Sequence, residues 1–484
     1  MTSVTGALVL GIDLGTTSIK VSLLGEESRN VIESFLFESR ARVHDLEANF
    51  SEQDVAKILS VLQQALEHLT SALLSKVTKI GICGQMHGCV MWKENSCSDL
   101  DRCASDNFST IANNASNLIT WEDRRCTPEF LRNLPQSRQK TAVSTGFGCA
   151  TLFWLQRNNP GRLECYDYAG TIMDFIVCIL CQSDKPCMSS QSAASWGYFN
   201  VDNMTWELEL LKSARFPSHL LPVVVEPGVV AGKLQKPFFG IPVGTPVAVA
   251  LGDYQCSVLS STSQLSDAVL NVGTASQMAV VIPSDDGNKQ NVQSGNTSAR
   301  GTTSDALQVF PYFQGMKVIT ATSLSGGNIF ATFVDTLLTW MKELGIQNNL
   351  PSTDDIYGKL LNSAERKGST TLKVNPKLWG ERHTPGERGQ VSNLTCSNLS
   401  LGDVTLALGQ GFVENFEKMM SREFLRSHGI QRIVGCGNAL VKNKVLQKQV
   451  EQVFGLPLVI NDRSDASVGA ALAAVMWNSS SVDS

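Results

Sequence analysis

The feature that most constrains this fold is a pair of short apolar runs joined by a glycine–threonine turn, LVLGIDLGTTSIKVSLL at residues 8–24. Apolar residues alternate with polar ones around Gly15, Thr16 and Thr17, which predicts two antiparallel β-strands joined by a tight turn. A P-loop would need Gly-x4-Gly-Lys-Ser/Thr before a helix, and a Rossmann turn would need Gly-x-Gly-x-x-Gly before a helix. Neither motif occurs in this stretch. If this chain binds a nucleotide here, the phosphates are held by a different kind of turn.

The same pattern recurs in the second half of the chain, in DAVLNVGTASQMAVVI, where Gly273 and Thr274 occupy the turn. A duplicated hairpin predicts two similar domains, each offering backbone N–H groups and threonine hydroxyls to a phosphate. Glycine at positions 15 and 273 would let the backbone approach such a ligand closely.

Length and composition limit the class of protein. A chain of 484 residues exceeds what one core usually serves, and Gly/Pro punctuation after Pro227 predicts a boundary between residues 1–246 and 247–484. The net charge of −5 argues against nucleic-acid binding. No basic leader and no apolar run of membrane-spanning length is seen, so no membrane association is expected.

The cysteines predict a reducing, cytoplasmic environment, because their number, 13, is odd and their spacing forms no disulfide framework. Cys178 and Cys181 form a C-x-x-C with Cys187 nearby. A zinc site would need further ligands, and no histidine is close. Buried structural thiols are the favoured interpretation, with redox or metal chemistry as the alternative.

Several further segments have clear local patterns. SEQDVAKILSVLQQALEHLTSALL predicts a helix capped by Ser51, and VTKIGICGQMHG predicts an apolar strand. Residues 95–117 are polar and predict a surface loop. NALVKNKVLQKQVEQVF predicts an amphipathic helix, and the small residues of DASVGAALAAV favour close helix packing.

Five motifs in series resemble the FGGY carbohydrate kinases of the actin-like ATPase superfamily: GIDLGTTSIK, GDYQCSV, NVGTASQ, SLSGGN and GCGNALVKN. The resemblance covers nearly the whole chain in the family's order. It implies an α/β fold of two actin-like (ribonuclease H-like) ATPase domains facing a central cleft. Residues 1–246 would then form the sugar-binding domain and residues 247–484 the nucleotide-binding domain.

The resemblance also implies an activity, ATP-dependent phosphorylation of a sugar's primary hydroxyl. GQMHGCVMW, TWEDRR, STGFGCATLFWLQ, QSAASWGYFN and WGERHTP are most similar to the branch that converts sedoheptulose to sedoheptulose 7-phosphate, which feeds the pentose phosphate pathway. A xylulose or ribulose kinase is the alternative within the family, because pocket depth is not visible in a sequence. An actin-like, ATP-driven binding scaffold is the alternative from another class.

Two carboxylates are assigned by the resemblance. Asp13, at the end of the first strand, would hold Mg2+ through water, the alternative being an aspartate that caps the turn. Asp253 follows the apolar strand VAVALG and would be the base that accepts the sugar's proton, the alternative being a helix N-cap. Thr16, Thr17 and Gly15, with Gly273 and Thr274, would hold the phosphates.

The resemblance places the sugar site in the first domain, where hydrogen-bonding groups and an apolar surface suit a polyol. The expected substrate-binding residues are Gln85, Met86, His87, Trp121, Asp123, Arg124 and Gln255.

Adenosine would bind the second domain, where glycines permit close backbone approach and an amide can bond base or ribose. The expected residues there are Gly326, Gly327, Gly435, Gly437 and Asn438, so the partners are a sugar, ATP and Mg2+. The chain departs from the family at Ser190, where an aspartate is common, and at Ala275, where a serine is common. The first departure bears on substrate specificity rather than on phosphoryl transfer.

Overall fold

A computed structural model describes residues 6–94, 108–138, 143–183, 185–273, 275–283, 306–381, 383–384, 386–462 and 464–476. The chain divides into two compact units. Unit 1 comprises Met1–Ser260, Pro311–Gly315 and Asp465–Ser484, and unit 2 comprises Ser261–Phe310 and Met316–Ser464. The predicted boundary at 246/247 differs from this division, because the chain after residue 246 still adds strands to the first sheet and the C-terminal helix packs on it.

Unit 1 contains a seven-stranded sheet and several two-stranded pairs, covered by helices. Among the described residues of this unit, Phe108–Asn114 and Ser218–Leu220 are 3₁₀ helices. Numbered in chain order, the strands are β1 Leu8–Leu14, β2 Ser18–Gly25, β3 Val31–Glu38, β4 Glu52–Gln53, β5 Val77–Gly84, β6 Val90–Trp92, β7 Leu118–Ile119, β8 Tyr168–Gly170, β9 Cys187–Ser189, β10 Phe199–Asn200, β11 Thr205–Trp206, β12 Val223–Val225, β13 Val230–Lys233, β14 Pro246–Ala248 and β15 Leu251–Gly252. The helices are α1 Val55–Glu67, α2 Ser71–Leu74, α3 Pro128–Arg132, α4 Gly148–Asn158, α5 Pro160–Leu163, α6 Ile172–Cys181, α7 Ser190–Trp196, α8 Leu208–Ser213, α9 Asp253–Ser261 and, from the C-terminal segment, α16 Ala466–Met476.

Among its described residues, unit 2 contains a six-stranded sheet and a separate two-stranded pair, eight strands together. Its strands are β16 Asp267–Val272, β17 Ser276–Ile282, β18 Leu307–Pro311, β19 Lys317–Ser323, β20 Lys373–Asn375, β21 Gln390–Ser392, β22 Arg432–Cys436 and β23 Leu458–Ile460. Its helices are α10 Gly327–Glu343, α11 Thr353–Lys367, α12 Leu401–Met419, α13 Arg422–Ser427, α14 Asn438–Val441 and α15 Lys444–Phe454.

The two sheets repeat one topology, which confirms the predicted duplication. In unit 1, β3, β2 and β1 are antiparallel neighbours, and β1 then pairs in parallel with β5 and β5 with β14. In unit 2, β19, β17 and β16 are antiparallel neighbours, and β16 then pairs in parallel with β22 and β22 with β23. Both predicted hairpins therefore form, and each supplies the antiparallel half of its sheet.

Both faces of the unit 1 sheet are covered, which explains why its strands are more apolar than simple alternation requires. Leu8, Leu10 and Ile12 pack into the core that contains α1 and α6. Val9, on the opposite face, packs with α16. The approach of α16 is unusually close, because a Cβ on Gly11 would lie 1.9 Å from the Ser467 carbonyl oxygen.

Two helix predictions need correction. The helix predicted from Ser51 begins at Val55, where Asp54 caps it by accepting from the backbone N–H of Lys57. Residues 52 and 53 form β4 instead, because they pair with β7. The helix predicted over NALVKNKVLQKQVEQVF is two helices, and the Asn443 side chain caps the second.

Other local predictions are confirmed in part. Cys178 and Cys181 lie buried in α6, and burial raises the pKa of Cys181 to about 12, which favours structural thiols. The predicted loop at 95–117 lies partly outside the described residues, and its described part contains a 3₁₀ helix. Among the helices of the described ranges, none has the length and apolar character needed to cross a bilayer.

Gly11→Ala tests the contact between α16 and β1. The added methyl would collide with the α16 backbone, so we expect a loss of about 3 kcal/mol in the free energy of unfolding. Gly161→Ala in α5 is the matched control, since a Cβ at this position meets nothing within 4 Å. We expect this substitution to raise the free energy of unfolding by at most about 0.5–1 kcal/mol. Urea unfolding followed by circular dichroism would measure both, and equal stabilities would contradict the packing.

Candidate active site

Three parallel strands end at one edge of the unit 1 sheet, and two of the predicted carboxylates lie there. In the parallel register, Asp13 of β1 lies beside Cys83 of β5, and Leu251 of β15 lies on the other side of Cys83. Asp253 begins α9 directly after β15. Carboxyl ends of strands are where sheet-based sites place their reactive groups. Both Asp13 and Asp253 therefore belong to the same edge.

Burial raises the pKa of the carboxyl groups of both Asp13 and Asp253. Burial raises the pKa of Asp13 to about 8, and the negative charge of Asp253 contributes in the same direction. Burial likewise raises the pKa of Asp253 to about 6, opposed by a hydrogen bond that its Oδ1 accepts from the Tyr254 N–H at 2.7 Å. Two neighbouring, partly buried carboxylates form a site that a cation would stabilise.

The donor set at this edge fits Mg2+ bound together with a nucleotide. Mg2+ in such sites takes one or two carboxylates, with phosphate oxygens and waters completing its octahedron. Among the described residues, no cluster of three or more His, Cys, Asp or Glu side chains could hold a metal by itself. Asp13 as one ligand among phosphates and waters is consistent with both facts.

Lys20 lies opposite Asp13 across the β1–β2 pair. Its ammonium group forms an ion pair with Asp465, the residue before α16. Asp465 also accepts from the backbone N–H and the hydroxyl of Ser467. Lys20 therefore ties the hairpin to the start of α16.

The turn residue Thr16 makes contacts toward the predicted sugar side. Its Oγ1 accepts a hydrogen bond from Trp121 Nε1 at 2.9 Å and donates to Gln85 Oε1 at 3.4 Å. Gln85 Nε2 donates to Gln53 Oε1 at 2.8 Å, and Gln53 Nε2 donates to the Thr16 carbonyl at 2.6 Å. Gln85 is buried with both amide atoms in use, while Trp121 is 41% exposed. Thr17, by contrast, is exposed.

His87 has a strained backbone and a defined orientation. Its φ is +72°, a left-handed conformation that is uncommon for a residue with a side chain. Its ring stacks on Phe147 with a 4.7 Å centroid separation, and Nδ1 lies 2.8 Å from the Ser195 carbonyl oxygen. A carbonyl only accepts, so Nδ1 carries the proton and, in the neutral ring, Nε2 is an acceptor.

Met86 and Gln255 meet at Gly252. A Cβ on Gly252 would lie 2.3 Å from Gln255 Oε1 and 2.6 Å from Met86 Sδ. Gln255 is fully buried, and neither of its amide atoms has a partner among the described residues. Its side chain therefore does not reach the surface, and a sugar contact through it would require a change in its surroundings.

Asp123 lies in a buried ionic network. Arg125 binds both oxygens of Asp123 at 2.9 Å and Glu52 Oε1 at 2.7 Å. The backbone N–H of Ser51 donates to Asp123 Oδ2 at 2.8 Å. Arg124, in contrast, is exposed. These contacts account for Asp123 as a structural residue, and a sugar contact by Asp123 or Arg124 stays a prediction.

Unit 2 brings three predicted glycine segments together at the end of β16. The Gly327 N–H donates to the Gly273 carbonyl at 2.7 Å, and a Cβ on Gly327 would lie 3.0 Å from that of Ala439. Gly437 has φ +84°, and a Cβ there would lie 2.4 Å from the Val272 carbonyl oxygen. Gly326 caps α10. Thr274 lies outside the described residues.

Two other predicted unit 2 residues have different surroundings. Gly435 lies inside β22, where a Cβ would approach Leu440 and Leu458, so close packing accounts for it. Asn438 is exposed at the start of α14. Glu381 was not predicted, yet it is buried and accepts from Ser323 Oγ at 2.6 Å and from the Leu324 N–H at 3.0 Å, which holds the segment before Gly326.

Comparison with known proteins decides the family. The model of the FGGY family of carbohydrate kinases, N-terminal domain, matches residues 8–260. The chain is 42% identical over 475 residues to sedoheptulokinase from Homo sapiens and 40% identical over 474 residues to sedoheptulokinase from Mus musculus, with 96% of each chain covered. The chain belongs to the FGGY family of carbohydrate kinases.

The fold of this FGGY family member is shared by solved structures. The crystal structure of xylulose kinase from Rhodospirillum rubrum matches with a TM-score of 0.75, at 18% identity, over 97% of this chain and 89% of that chain. The predicted actin-like α/β fold in two domains is thereby confirmed. The family match over residues 8–260 covers the part of the chain that carries Asp13, His87, Trp121 and Asp253.

Sequence reasoning on this FGGY family member missed Gln53 and Glu52. Both fell in a segment that was predicted to be helical, so their long-range partners were not considered. A helix N-cap can be predicted from the residues next to it. The hydrogen bonds of Gln53 with Thr16 and Gln85 join residues that are far apart in the chain, so no local sequence pattern predicts them.

Arg125→Met, compared with Arg124→Met, tests whether Arg125 stabilises the buried ionic network. The substitution removes the cation that binds both Asp123 and Glu52 and leaves only Arg162, 3.9 Å from Glu52, beside the buried pair, so we expect a loss of about 3–5 kcal/mol in the free energy of unfolding. Arg124→Met, at an exposed position, should change stability by less than about 0.5 kcal/mol. Denaturant unfolding of both variants checks this, and similar stabilities would contradict the buried network.

A pH dependence follows from the raised pKa of Asp253. A base must be deprotonated to accept a proton, and Asp253 is protonated below its pKa of about 6. If Asp253 is the base, we expect kcat/KM for the sugar, at saturating ATP and Mg2+, to fall about tenfold per pH unit below the pKa of Asp253, which a neighbouring Mg2+ lowers from about 6, and to level off above that pKa. Circular dichroism at each pH would verify that the fold is retained, and a flat profile over the whole acid range in which the protein stays folded would argue against Asp253 as the base.

Proposed function

We propose that this protein is an ATP-dependent sugar phosphotransferase that converts ATP and sedoheptulose to ADP and sedoheptulose 7-phosphate. The observation that carries the proposal is the near-full-length similarity to sedoheptulokinases at about two residues in five. The arrangement of carboxylates in unit 1 supplies groups that this chemistry needs.

In the proposed reaction, Asp253 accepts the proton of the sugar's terminal primary hydroxyl, and the oxygen of that hydroxyl attacks the γ-phosphorus of ATP. The new O–P bond forms as the bond to the bridging oxygen of ADP breaks, and ADP leaves with that electron pair. A pKa of about 6 suits this role, because Asp253 is ionised at neutral pH and still basic enough to attract the proton. Mg2+ bound with ATP would neutralise phosphate charge, and Asp13 would hold it directly or through water.

The proposed sugar site uses the accessible groups of unit 1. The exposed indole of Trp121 offers an apolar face for C–H groups, and the half-buried ring of His87 is a further proposed contact for the sugar. Met86 is buried beside Gly252, so we assign it to the support of this surface. Gln85, Asp123 and Gln255 are buried, so we assign them to the support of this surface.

The proposed nucleotide site uses the glycine segments of unit 2. The turn at Gly273 would bind phosphate, while the segment at Gly326 and Gly327 and the positive φ of Gly437 would permit close approach of the base or ribose. The exposed amide of Asn438 is available to the same part of the ligand.

We further infer that the enzyme works in the cytoplasm and supplies a phosphorylated ketose to the pentose phosphate pathway. The described cysteines are free thiols, which suits a reducing compartment.

Turnover with a panel of sugars tests the proposal. Purified protein with ATP and Mg2+ would receive sedoheptulose, xylulose, ribulose or glycerol, and ADP release would be measured for each. Asp253→Asn should lower kcat by about 10²–10⁴-fold without loss of thermal stability, because the amide has the same shape and cannot accept the proton. Asp54→Asn is the matched control, since asparagine caps a helix as well as aspartate.

Strong turnover confined to sedoheptulose would support the proposal. Turnover mainly with xylulose or ribulose would keep the mechanism and change the substrate. ADP release that no sugar increases would overturn the kinase proposal and favour an ATP-driven binding scaffold.

A further inference from the structure

A closed ring of hydrogen bonds joins Thr16, Gln53 and Gln85, and we call it the Thr16 ring. The Thr16 hydroxyl donates to Gln85, Gln85 donates to Gln53, and Gln53 donates back to the Thr16 carbonyl. Ser39 Oγ donates to the same carbonyl at 3.1 Å. Both glutamines are buried, and each amide uses its oxygen and one N–H of its nitrogen within the ring, so burial keeps both from solvent.

The ring sets the direction of the Thr16 hydroxyl. A hydroxyl has one proton to donate, and here it is given to the oxygen of Gln85. Gln85 keeps its oxygen toward Thr16 because its nitrogen faces the oxygen of Gln53. A lone pair of Thr16 Oγ1 is thereby available to accept the N–H of Trp121.

Trp121 is held at two points and exposes the rest of its side chain. Its indole N–H is bound to Thr16 at 2.9 Å. Its backbone is packed against Gly146, where a Cβ would lie 2.3 Å from the Trp121 carbonyl oxygen and where φ is +78°. The side chain is 41% exposed. An exposed aromatic ring that is held by its indole N–H and by its backbone presents the same face to every ligand that binds.

We propose that Gln53 and Gln85 are positioning residues that act through Thr16 to orient the Trp121 indole as one wall of the sugar site. This inference rests on the proposed function. Thr16 would serve the sugar site through the hydrogen bond that its hydroxyl oxygen accepts from the Trp121 indole. The backbone N–H groups of the turn stay available for the nucleotide.

Gln53→Met is the first test. Methionine has a similar length, removes both ring contacts of residue 53 and lets the Thr16 hydroxyl rotate. We expect KM for sedoheptulose to rise about tenfold, while KM for ATP stays within about twofold and kcat within about threefold. Gln63→Met, the same change at α1, is the matched control and should leave all three constants unchanged.

If Gln53 and Gln85 only stabilise the fold, KM for the sugar should change together with the thermal midpoint. A double variant distinguishes this structural role from the positioning role. Gln53→Met leaves the Gln85 amide nitrogen buried without a partner, so the thermal midpoint should fall. Gln53→Met with Gln85→Met removes that unpaired group, so the midpoint should recover. If sugar KM recovers with it, the positioning role is overturned; if sugar KM stays raised, the role is supported.

Fluorine NMR reads the indole directly and does not depend on turnover. Protein labelled with 5-fluorotryptophan has eight tryptophans, and the resonance missing from Trp121→Phe assigns Trp121. In Gln53→Met the Trp121 resonance should shift or broaden, whereas in Gln63→Met it should match the parent. Titration with sedoheptulose should move the Trp121 resonance of the parent protein.

These outcomes separate this proposal from the proposed function. A parent protein that phosphorylates no ketose would overturn the function, and the ring would still be judged by the free-protein spectra. An unchanged Trp121 resonance in Gln53→Met overturns the positioning role whatever the substrate. A rise in ATP KM with sugar KM unchanged would also overturn it and return Thr16 to the nucleotide.

Discussion

The parallel register of β1, β5 and β15 is the constraint on which the candidate active site depends. Parallel strands end at the same edge of a sheet, so Asp13 and Asp253 are brought together although most of unit 1 separates them along the chain. The edge is poorly hydrated, which raises the pKa of both carboxyl groups. The helix α16 supports the strands from one face because Gly11 leaves room for its backbone.

The short strand β4 connects the core of unit 1 to this site. Glu52 completes the buried network with Arg125, and its neighbour Gln53 closes the Thr16 ring. Buried polar groups are stable only when their hydrogen-bonding capacity is met, so each of these contacts restricts where β4 can lie. The position of Trp121 follows from the same contacts, since the turn that carries Thr16 holds its indole.

Much of the fold could be predicted because its signals are local. Both hairpins have alternating apolar residues and a glycine turn, and the structure confirms them. The helix start at Ser51 was wrong, since Asp54 is an equally good cap and the competing strand pairing with β7 is not visible in the sequence. The burial of Gln85 and Asp123 escaped prediction for a similar reason, because Gln53 and the Ser51 N–H, which bind them, lie far away along the chain.

The sequence by itself determined the duplicated hairpin, the two-domain architecture and the presence of an aspartate directly after an apolar strand. These features depend on residue spacing, which is written along the chain. Only the tertiary structure decided which polar side chains are exposed and which serve as support. It leaves the indole of Trp121 accessible and buries Gln85, Asp123 and Gln255, because burial and hydrogen bonding depend on partners brought together by strand pairing and packing.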